Sequence, residues 1–280
     1  MLLFIAMVSV STSPIIAKYL NNVPALGISF WRMFFGALIL WIFSFFNKNN
    51  LKFYNDKKIL IAGLLLGIHF ALFFRSIKLT TIANATFLGT LAPLFAFIIE
   101  KFIFKKKHKR NLLFGLSLAF LGTIILIGNK FDFSSNYTIG NLFAVACSGC
   151  LGLAFIITAD VRKKLEALIY SRMLFTYAAI TLLVFSILTK TSLVGYSNND
   201  YIFLFILGLV PTIMGHGFMY YAAKYISPII VSSAPMGEPI LASIMAWYLF
   251  NESIELSIMI GGFITFIGLY ILITGKELVK

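Results

Sequence analysis

The stretch 226-ISPIIVSSAPMGEPILASIMAWYLF-250 decides the fold, because it is long and apolar enough to cross a bilayer yet carries an acidic residue at its centre. At 1.5 Å per residue, Glu238 lies about 18 Å from either end of a helix of this length. An ionisable side chain at that depth costs roughly 2.5 kcal/mol or more unless it faces a partner or a water-filled cavity. The stretch therefore predicts a spanning helix that borders a polar cavity, with the rest of the chain as the scaffold around it.

The composition is typical of a membrane protein. Of the 280 residues, 60% are hydrophobic and 12% are charged, and the mean hydropathy is +0.95. Such a chain has too few polar side chains to cover a soluble particle of its size. The formal net charge of +13 raises the alternative of nucleic-acid binding, but the basic residues occupy short links between apolar runs instead of one soluble face. We therefore expect the lipid bilayer, and not nucleic acid, as a partner.

Hydropathy divides the chain into ten apolar runs of the length that a spanning helix needs. The links between the runs leave no room for a soluble domain. The predicted fold class is therefore an all-α integral membrane protein with ten transmembrane helices. The runs cover residues 2–20, 24–46, 58–76, 81–104, 110–129, 138–160, 166–189, 201–222, 226–250 and 256–275.

The orientation follows from the distribution of Lys and Arg, which are retained on the cytoplasmic side. With the N-terminus inside, sixteen of the 23 Lys and Arg residues fall in cytoplasmic segments and five fall on the other side. The remaining two, Arg32 and Arg172, lie within spans. Both termini are therefore predicted to be cytoplasmic. The abundance of Lys, Asn, Ile and Phe suggests an AT-rich bacterial genome, and hence the bacterial inner (plasma) membrane.

An internal repeat organises the chain. A shift of 146 residues aligns three spans without an insertion, and a shift of 140 matches Arg32-Met33-x-Phe35 with Arg172-Met173-x-Phe175. We infer two five-helix repeats, over residues 1–130 and 138–280. Because five is odd, the second repeat enters the membrane from the opposite side, and the repeats are inverted. The pairs matched by the shift of 146 are Lys78 and Lys224, Pro93 and Pro239, Ala96 and Ala242, Phe104 and Phe250, Gly115 and Gly261, Phe120 and Phe266, and Gly122 and Gly268.

Inverted repeats favour transport by alternating access, because they allow two nearly equivalent packings around a site near the midplane. Pro93 and Pro239 lie mid-span in matching positions, where each removes a helix hydrogen bond and favours a kink. The kinked helices are expected to line one cavity; the alternative is that the kinks only shape the packing. The paired glycines of the fifth spans, seven residues apart in each half, favour tight helix contact and a supporting role.

These features together resemble the EamA family of the drug/metabolite transporter superfamily. They are the ten spans, the five-plus-five repeat, Ala92-Pro93-Leu94 in the fourth span, Glu238-Pro239 in the ninth and Asn251-Glu252 at its end. The resemblance covers nearly the whole chain. It implies a bundle in which four spans of each half surround a substrate cavity, with the fifth and tenth spans to the side. It also implies a substrate among the amino acids, related metabolites or amphipathic compounds.

The chain departs from the family pattern in two places. The acidic residue that often follows the fourth span, matching Glu252, is replaced by Lys106 in the basic run KKKHKR, so no acidic role carries over to that position. The chain also begins directly at its first span, without the usual short polar leader. That departure leaves the true start and the N-terminal topology open.

Ionisable residues within the spans are the first candidates for substrate binding. Glu238 is expected either to bind a substrate amine or carry a coupled proton, or to brace the broken helix by bonding to backbone groups. His69 and His216 lie in the third and eighth spans, one position out of register in the repeat, and are expected to approach each other across the cavity. Each could relay protons or bind a carboxylate, and each could equally be a hydrogen-bonded structural residue.

Arg32 and Arg172 lie near the start of the second span of each half, within about 10 Å of the nearer end. Their matching positions predict a shared role, either an anion contact or a fixed ion pair within the bundle. Asn84 and Tyr220 are expected to add hydrogen bonds to a ligand. No metal or other cofactor is expected.

The sequence therefore predicts a secondary transporter, an exporter or exchanger of a small organic solute such as an amino acid or related metabolite, acting as a monomer or homodimer. It lacks a G-x-x-x-x-G-K-[ST] run for ATP, so a gradient or an exchange is expected to supply the energy. One alternative is an intramembrane enzyme that uses His69, His216 and Glu238, although the H-E-x-x-H and G-x-S-x-G motifs are missing. The other alternative is a membrane sensor without flux.

Overall fold

The structure is a computed structural model that describes residues 1–46, 51, 54, 56–80, 82–127, 137–251 and 254–275. Its regular elements within these ranges are helices. The first half contains α1 (Leu2–Tyr19), α2 (Ala25–Phe46), α3 (Lys57–Leu79), α4 (Ile82–Gly89), α5 (Ala92–Ile98), a π-helical turn (Ile99–Ile103) and α6 (Arg110–Ile127). The second half contains α7 (Thr138–Arg162), α8 (Ala167–Leu188), α9 (Asn198–Leu207), a π-helical segment (Gly208–Gly217), α10 (Phe218–Ala222), α11 (Pro228–Ser233), a 3-10 turn (Ala234–Gly237), α12 (Glu238–Phe250) and α13 (Leu256–Thr274).

The outer surface of the bundle suits hydrocarbon. Nine helical segments in the described ranges are long and apolar enough to cross a membrane, and α6 contributes a shorter apolar helix over Arg110–Leu126. Large apolar side chains on the surface, such as Phe114, Leu142 and Phe263, are 61% to 69% exposed. A soluble protein does not present so much apolar surface to water. The chain is therefore a multi-pass membrane protein.

Both fourth spans are interrupted near a proline. α4 ends at Gly89 and α5 begins at Ala92, with Pro93 as its second residue. In the second half, α11 passes into the 3-10 turn and then into α12, of which Pro239 is the second residue. A proline has no amide hydrogen and fits the first turn of a helix, so each new helix begins where the proline is tolerated. Each fourth span is therefore built from shorter helical pieces.

α6 and α13 pack closely along their glycines. A methyl group on Gly115 would lie 2.9 Å from the Gly268 carbonyl oxygen, and one on Gly122 would lie 2.7 Å from the Gly261 carbonyl oxygen. These two contacts exchange with each other under the shift of 146 residues. Reciprocal contacts of this kind occur where two related elements pack about a two-fold axis. The tight helix contact expected from the paired glycines is present, and it is possible because glycine has no side chain.

Two other features recur at the same spacing. Thr265 donates a hydrogen bond to the Ala119 carbonyl over 3.4 Å, and these two residues match each other under the shift. Lys105 and Asn251 also match, and each follows the fourth span of its half with a φ of 52° or 54°. Residues other than glycine adopt this left-handed conformation infrequently. The repeat in the sequence is thus accompanied by matching local structure in both halves.

The centre of the bundle is formed by α1, α2, α3, α7, the π-helical segment and the fourth spans. α3 packs against α7 and α8, α2 packs against α8, and α1 packs against the π-helical segment. α6 and α13 contact chiefly each other and the fourth spans. They therefore lie beside the helices that surround the centre.

Candidate solute-binding site

A small cavity lies at the centre of the bundle, between helices of both halves. It offers about 40 Å³ to the centres of water-sized spheres, which is room for about three water molecules. The first half lines it from α1, α2, α3 and α4, and the second half from α7, the π-helical segment, the 3-10 turn and α12. Its polar and aromatic lining includes Ser13, Arg32, His69, Phe70, Thr90, His216 and Glu238.

An irregularity in the helix that runs from α9 through the π-helical segment to α10 fixes the Arg32 guanidinium from one side. Pro211 has no amide hydrogen, so the Leu207 carbonyl, four residues earlier, lacks its usual helical donor. The Thr212 hydroxyl donates to that carbonyl over 2.8 Å and accepts a hydrogen bond from Arg32 Nε over 2.9 Å. The π-helical segment thereby provides a polar contact for a charge at the centre of the bundle.

The first half holds the same guanidinium from two other sides. Arg32 Nη1 donates to the Ser13 hydroxyl over 2.9 Å, and Ser13 precedes Pro14 within α1. The guanidinium carbon lies 4.1 Å from the centre of the Phe70 ring, which is a cation–π contact. The Arg32 side chain is almost fully buried. Two hydroxyl groups and one aromatic face therefore stabilise its charge at the centre of the bundle.

The Phe70 ring contacts both histidines as well as Arg32. Its ring centre lies 4.7 Å from that of His69 and 5.3 Å from that of His216. His69 Nδ1 lies 2.9 Å from the Cys147 carbonyl oxygen. Because a carbonyl can only accept, Nδ1 carries the hydrogen, and Nε2 is the acceptor of the neutral ring. The two histidines thus line one cavity from opposite halves, with the Phe70 ring in contact with both.

Glu238 is the acidic residue of the described lining. It is the first residue of α12, where the positive end of the helix dipole favours a carboxylate. The half-buried side chain interacts electrostatically with Arg32. Within the described residues, however, no basic nitrogen lies within 4.0 Å of its oxygens and no hydrogen bond reaches them. A guanidinium and a carboxylate thus line the same small cavity without forming an ion pair.

Tyr220 lies one helical turn beyond His216. Its hydroxyl lies 3.4 Å from His216 Nδ1, and the side chain is buried. The Tyr220 ring packs against those of Tyr170 and Phe155, each at a centroid distance of 5.7 Å. In the described structure, Tyr220 is therefore behind the cavity lining and contacts the site through His216.

Arg172 lies elsewhere, although it matches Arg32 in the repeat. It is fully buried between α8 and α2, and its guanidinium carbon lies 4.1 Å from the centre of a Trp41 ring. The Trp41 indole donates to the Thr176 hydroxyl over 3.1 Å, and that hydroxyl donates to the Arg172 carbonyl over 2.8 Å. Arg172 does not contribute to the described lining. The structure thus separates the two arginines that the sequence pairs.

Asn84 also lies away from the cavity. Its side-chain amide donates to Asn141 Oδ1 over 2.8 Å, and the same oxygen accepts a hydrogen bond from the Thr80 hydroxyl over 2.7 Å. Asn84 is fully buried. This bridge ties the beginning of the fourth span to α7, so the structure gives Asn84 a contact between helices.

The two matched prolines border the cavity through their neighbours. Thr90, which lies in the break before Pro93, and Glu238, which directly precedes Pro239, both contribute to the lining. The breaks of the two fourth spans therefore lie at the cavity wall. Glu252, which the family resemblance singles out, lies outside the described residues.

Four residues that hold the site were not predicted: Ser13, Phe70, Pro211 and Thr212. The pairs Ser13-Pro14 and Pro211-Thr212 do carry a signal, because a hydroxyl residue beside a proline within a span can satisfy backbone groups that the proline leaves. Phe70 carries none, since the chain contains 30 Phe residues and each of them alone is weak evidence.

The lining of the cavity combines basic, acidic and imidazole groups. The part of the chain that the structure describes contains no group of three His, Cys, Asp or Glu side chains that could hold a metal. Arg32 offers one positive contact and Glu238 one negative contact, and His69 and His216 add imidazole nitrogens. The cavity lining thus carries groups of opposite charge at two separate points.

Comparison with known proteins identifies what the chain resembles. A model of the EamA-like transporter family matches residues 1–128 and 138–274. An uncharacterized transporter of Archaeoglobus fulgidus is 23% identical over 261 residues, covering 91% of this chain and 90% of the relative. The uncharacterized transporter YoaV of Bacillus subtilis is 21% identical over 256 residues, covering 90% of this chain and 88% of the relative. A solved crystal structure superposes with a TM-score of 0.82 at 16% identity, covering 97% of this chain and 96% of the other, which shows the fold alone.

Proposed function

Because the chain belongs to the EamA-like transporter family, we propose that it is a secondary transporter that carries a small zwitterionic solute, such as an amino acid or related metabolite, through the central cavity. The family and the relatives named as transporters support a membrane transporter and point away from an enzyme. For the direction we propose export or exchange.

The observation that carries this proposal is the separation of Arg32 and Glu238 within one cavity. Because Arg32 and Glu238 do not form an ion pair with each other, each of them is available to bind an opposite charge on a solute. An amino acid presents a carboxylate and an ammonium group close together, so Arg32 would bind the carboxylate and Glu238 the ammonium through charge-assisted hydrogen bonds. Binding at both ends offsets the cost of taking both solute charges out of water.

Glu238 is also the residue that we propose links flux to a proton gradient. A proton on its carboxylate would remove the negative contact and weaken the hold on the solute ammonium. Intramembrane carboxylates commonly serve such relays, and His69 and His216 line the same cavity as proton partners. Protonation would thus favour solute release.

The small size of the cavity supports a transport cycle in which the helices around it move. Room for about three water molecules is too small for an amino acid, so binding requires the helices to separate on one side. Helices bend most readily at prolines and π-helical turns, and both occur at the cavity wall. We propose that these breaks allow alternating access, with Arg32 and Glu238 opening to one face of the membrane at a time.

We also propose ten spans, arranged as two inverted five-helix repeats. This requires α6 to cross the membrane beside α13. The reciprocal glycine contacts of these helices and the matched left-handed residues Lys105 and Asn251 support the arrangement. The excess of Lys and Arg on one face supports cytoplasmic termini in a bacterial inner membrane.

The test measures flux of purified protein in proteoliposomes. The panel contains amino acids, the matching acids that lack the amine and the matching amines that lack the acid. We expect the wild-type protein to carry the zwitterion best. Glu238→Gln should lower the flux of the amino acid at least about tenfold. It should also lower the ratio of amino-acid flux to the flux of the matching acid that lacks the amine. Arg32→Gln should lower the ratio of amino-acid flux to the flux of the matching amine that lacks the acid.

Glu255→Gln provides the control, because it removes an exposed acidic residue at the N-terminus of α13 and should leave flux unchanged. The proposal fails if Glu238→Gln and Arg32→Gln both transport every wild-type solute at the wild-type rate. Unchanged pH dependence in Glu238→Gln would remove this residue as the coupling group.

A further inference from the structure

The turn between α5 and α6 carries a dense positive charge. Residues 100–110 contain six Lys or Arg residues and a single acidic residue, Glu100. Glu100 is 1% exposed. All six basic residues are exposed: Lys101, Lys105, Lys106, Lys107, Lys109 and Arg110. The surface that this turn presents is therefore strongly positive.

Buried contacts fix the shape of the turn. Lys106 Nζ lies 2.6 Å from the Glu100 carboxylate, and the Lys106 amide donates to the Glu100 carbonyl over 2.9 Å. The buried His108 ring packs against Phe97 at a centroid distance of 5.3 Å. These contacts hold both ends of the loop while Lys105 and Lys107 stay on its surface. The cations are thus presented by an ordered turn.

Apolar side chains adjoin the cations directly. Phe102, Ile103 and Phe104 are 66%, 68% and 54% exposed. In a protein that spans a bilayer, such side chains contact acyl chains, and the basic residues that follow them lie among the headgroups. The turn therefore has apolar residues at the level of the lipid acyl chains, followed by basic residues at the level of the headgroups.

We propose that Phe102–Arg110 is a docking surface for anionic phospholipids, with the exposed apolar residues against the acyl chains and the basic residues against the headgroup phosphates. Clusters of four to eight Lys and Arg beside a membrane helix attract anionic lipid, by about fivefold per residue. The matching turn of the second half has the opposite character, since Asn251 replaces Lys105 and two acidic residues, Glu252 and Glu255, follow it in sequence. The lipid preference is therefore confined to one face of the protein.

The experiment measures how strongly the purified full chain retains phosphatidylglycerol relative to phosphatidylcholine, by native mass spectrometry of micelles doped with both lipids. The test variant combines Lys105→Gln, Lys107→Gln and Arg110→Gln. At about fivefold per residue, its preference for phosphatidylglycerol should fall by about a hundredfold at low salt. The wild-type preference should also weaken in high salt, because screening shortens the range of the attraction.

A matched control combines Lys163→Gln, Lys164→Gln and Lys224→Gln, which removes three exposed positive charges elsewhere. Its preference should fall far less than that of the test variant. A variant in which Lys and Arg are exchanged at positions 105, 107 and 110 keeps all three charges, so its preference should change less than about threefold. Equal losses in the test and control variants would show attraction by net charge alone and overturn the proposal. An unchanged preference in the test variant would overturn it as well, and so would displacement of the lipid by inorganic phosphate beyond the displacement by sodium chloride at equal ionic strength.

Discussion

The surroundings of Arg32 and Arg172 differ, although the two residues occupy matching positions in the repeat. Each guanidinium lies over an aromatic ring, Phe70 or Trp41, at the same distance of 4.1 Å. In the described structure, Arg32 also meets two hydroxyl groups that lie beside prolines, and it lines the central cavity, whereas Arg172 is outside the described lining. Matched positions in the sequence repeat thus carry similar side chains, whereas the irregular helices around Arg32 accompany the one that lines the cavity.

The difference teaches that the site belongs to neither half alone. The serine that contacts Arg32 comes from the first half, and the threonine comes from the second. Arg172 is buried beside α2, which provides the Trp41 ring that lies under its guanidinium. Substitutions at matched positions therefore separate the function of the site from the stability of the bundle.

Exchange of each arginine for glutamine should have the largest effect. Removal of one partner from a buried polar contact costs about 2–5 kcal/mol, so Arg32→Gln should slow uptake into proteoliposomes at least about thirtyfold. Arg172→Gln loses a cation–π contact of about 0.5–2 kcal/mol and should lower the melting temperature while leaving flux per folded protein within about twofold. Equal losses of flux in both variants would contradict the comparison.

A double-mutant cycle should sharpen the comparison. If Arg32 and Glu238 bind two ends of one solute, the paired Gln substitutions should deviate from additivity in binding free energy by about 0.5–3 kcal/mol. The pair Arg172 and Glu238 should be additive within about 0.5 kcal/mol. Solute affinity measured by calorimetry on the four proteins of each cycle provides the test, and equal coupling in the two cycles would count against separate roles.

Two threonines offer a smaller and nearly isosteric test. Thr212→Val leaves Arg32 Nε and the Leu207 carbonyl without their shared hydroxyl, at a cost of about 1–3 kcal/mol, and should weaken solute binding about fivefold or more. Thr176→Val removes a hydroxyl that bonds the Arg172 carbonyl and the Trp41 indole, outside the cavity, and should change solute affinity less than about twofold. Affinities measured side by side decide the point. A larger effect of Thr176→Val would reverse the assignment.

The contact of α6 with α13 should have the smallest effect on flux. A methyl group at Gly122 meets the Gly261 carbonyl oxygen at 2.7 Å, so Gly122→Ala should destabilise the protein by about 1–3 kcal/mol. Flux per folded protein should stay within about twofold, because neither arginine touches these helices. Gly149→Ala is the control, since its nearest neighbour lies at 3.7 Å. A change in solute selectivity would show that α6 and α13 take part in the site.

Much of the helical arrangement could be predicted from the sequence. The apolar runs 58–76 and 138–160 correspond closely to α3 and α7, because helix length in a bilayer is set by the hydrocarbon thickness. The depth of Glu238 predicts a residue at a cavity, since a lipid-facing carboxylate would be too costly, and in the structure Glu238 is part of the cavity lining. Membership of the EamA family was confirmed by a family model that covers nearly the whole chain.

The contacts within the site could not be predicted in the same way. Hydropathy is insensitive to a π-helical segment, because the change from four to five residues per hydrogen bond leaves composition untouched. The positions of Asn84 and Arg172 depend on Asn141 and Trp41, which are distant in sequence and have no match in the other half. Aligning the two halves of the sequence shows which positions correspond, but it does not show which residues are in contact in the folded protein.

The small volume of the central cavity also affects ion leakage when no solute is bound. The described central cavity has room for about three waters, fewer than a continuous column of water across the membrane would need at this point. Without such a column, protons and inorganic ions meet a dry barrier. A resting carrier of this kind would not discharge the membrane potential, even though it keeps two opposite charges at its core.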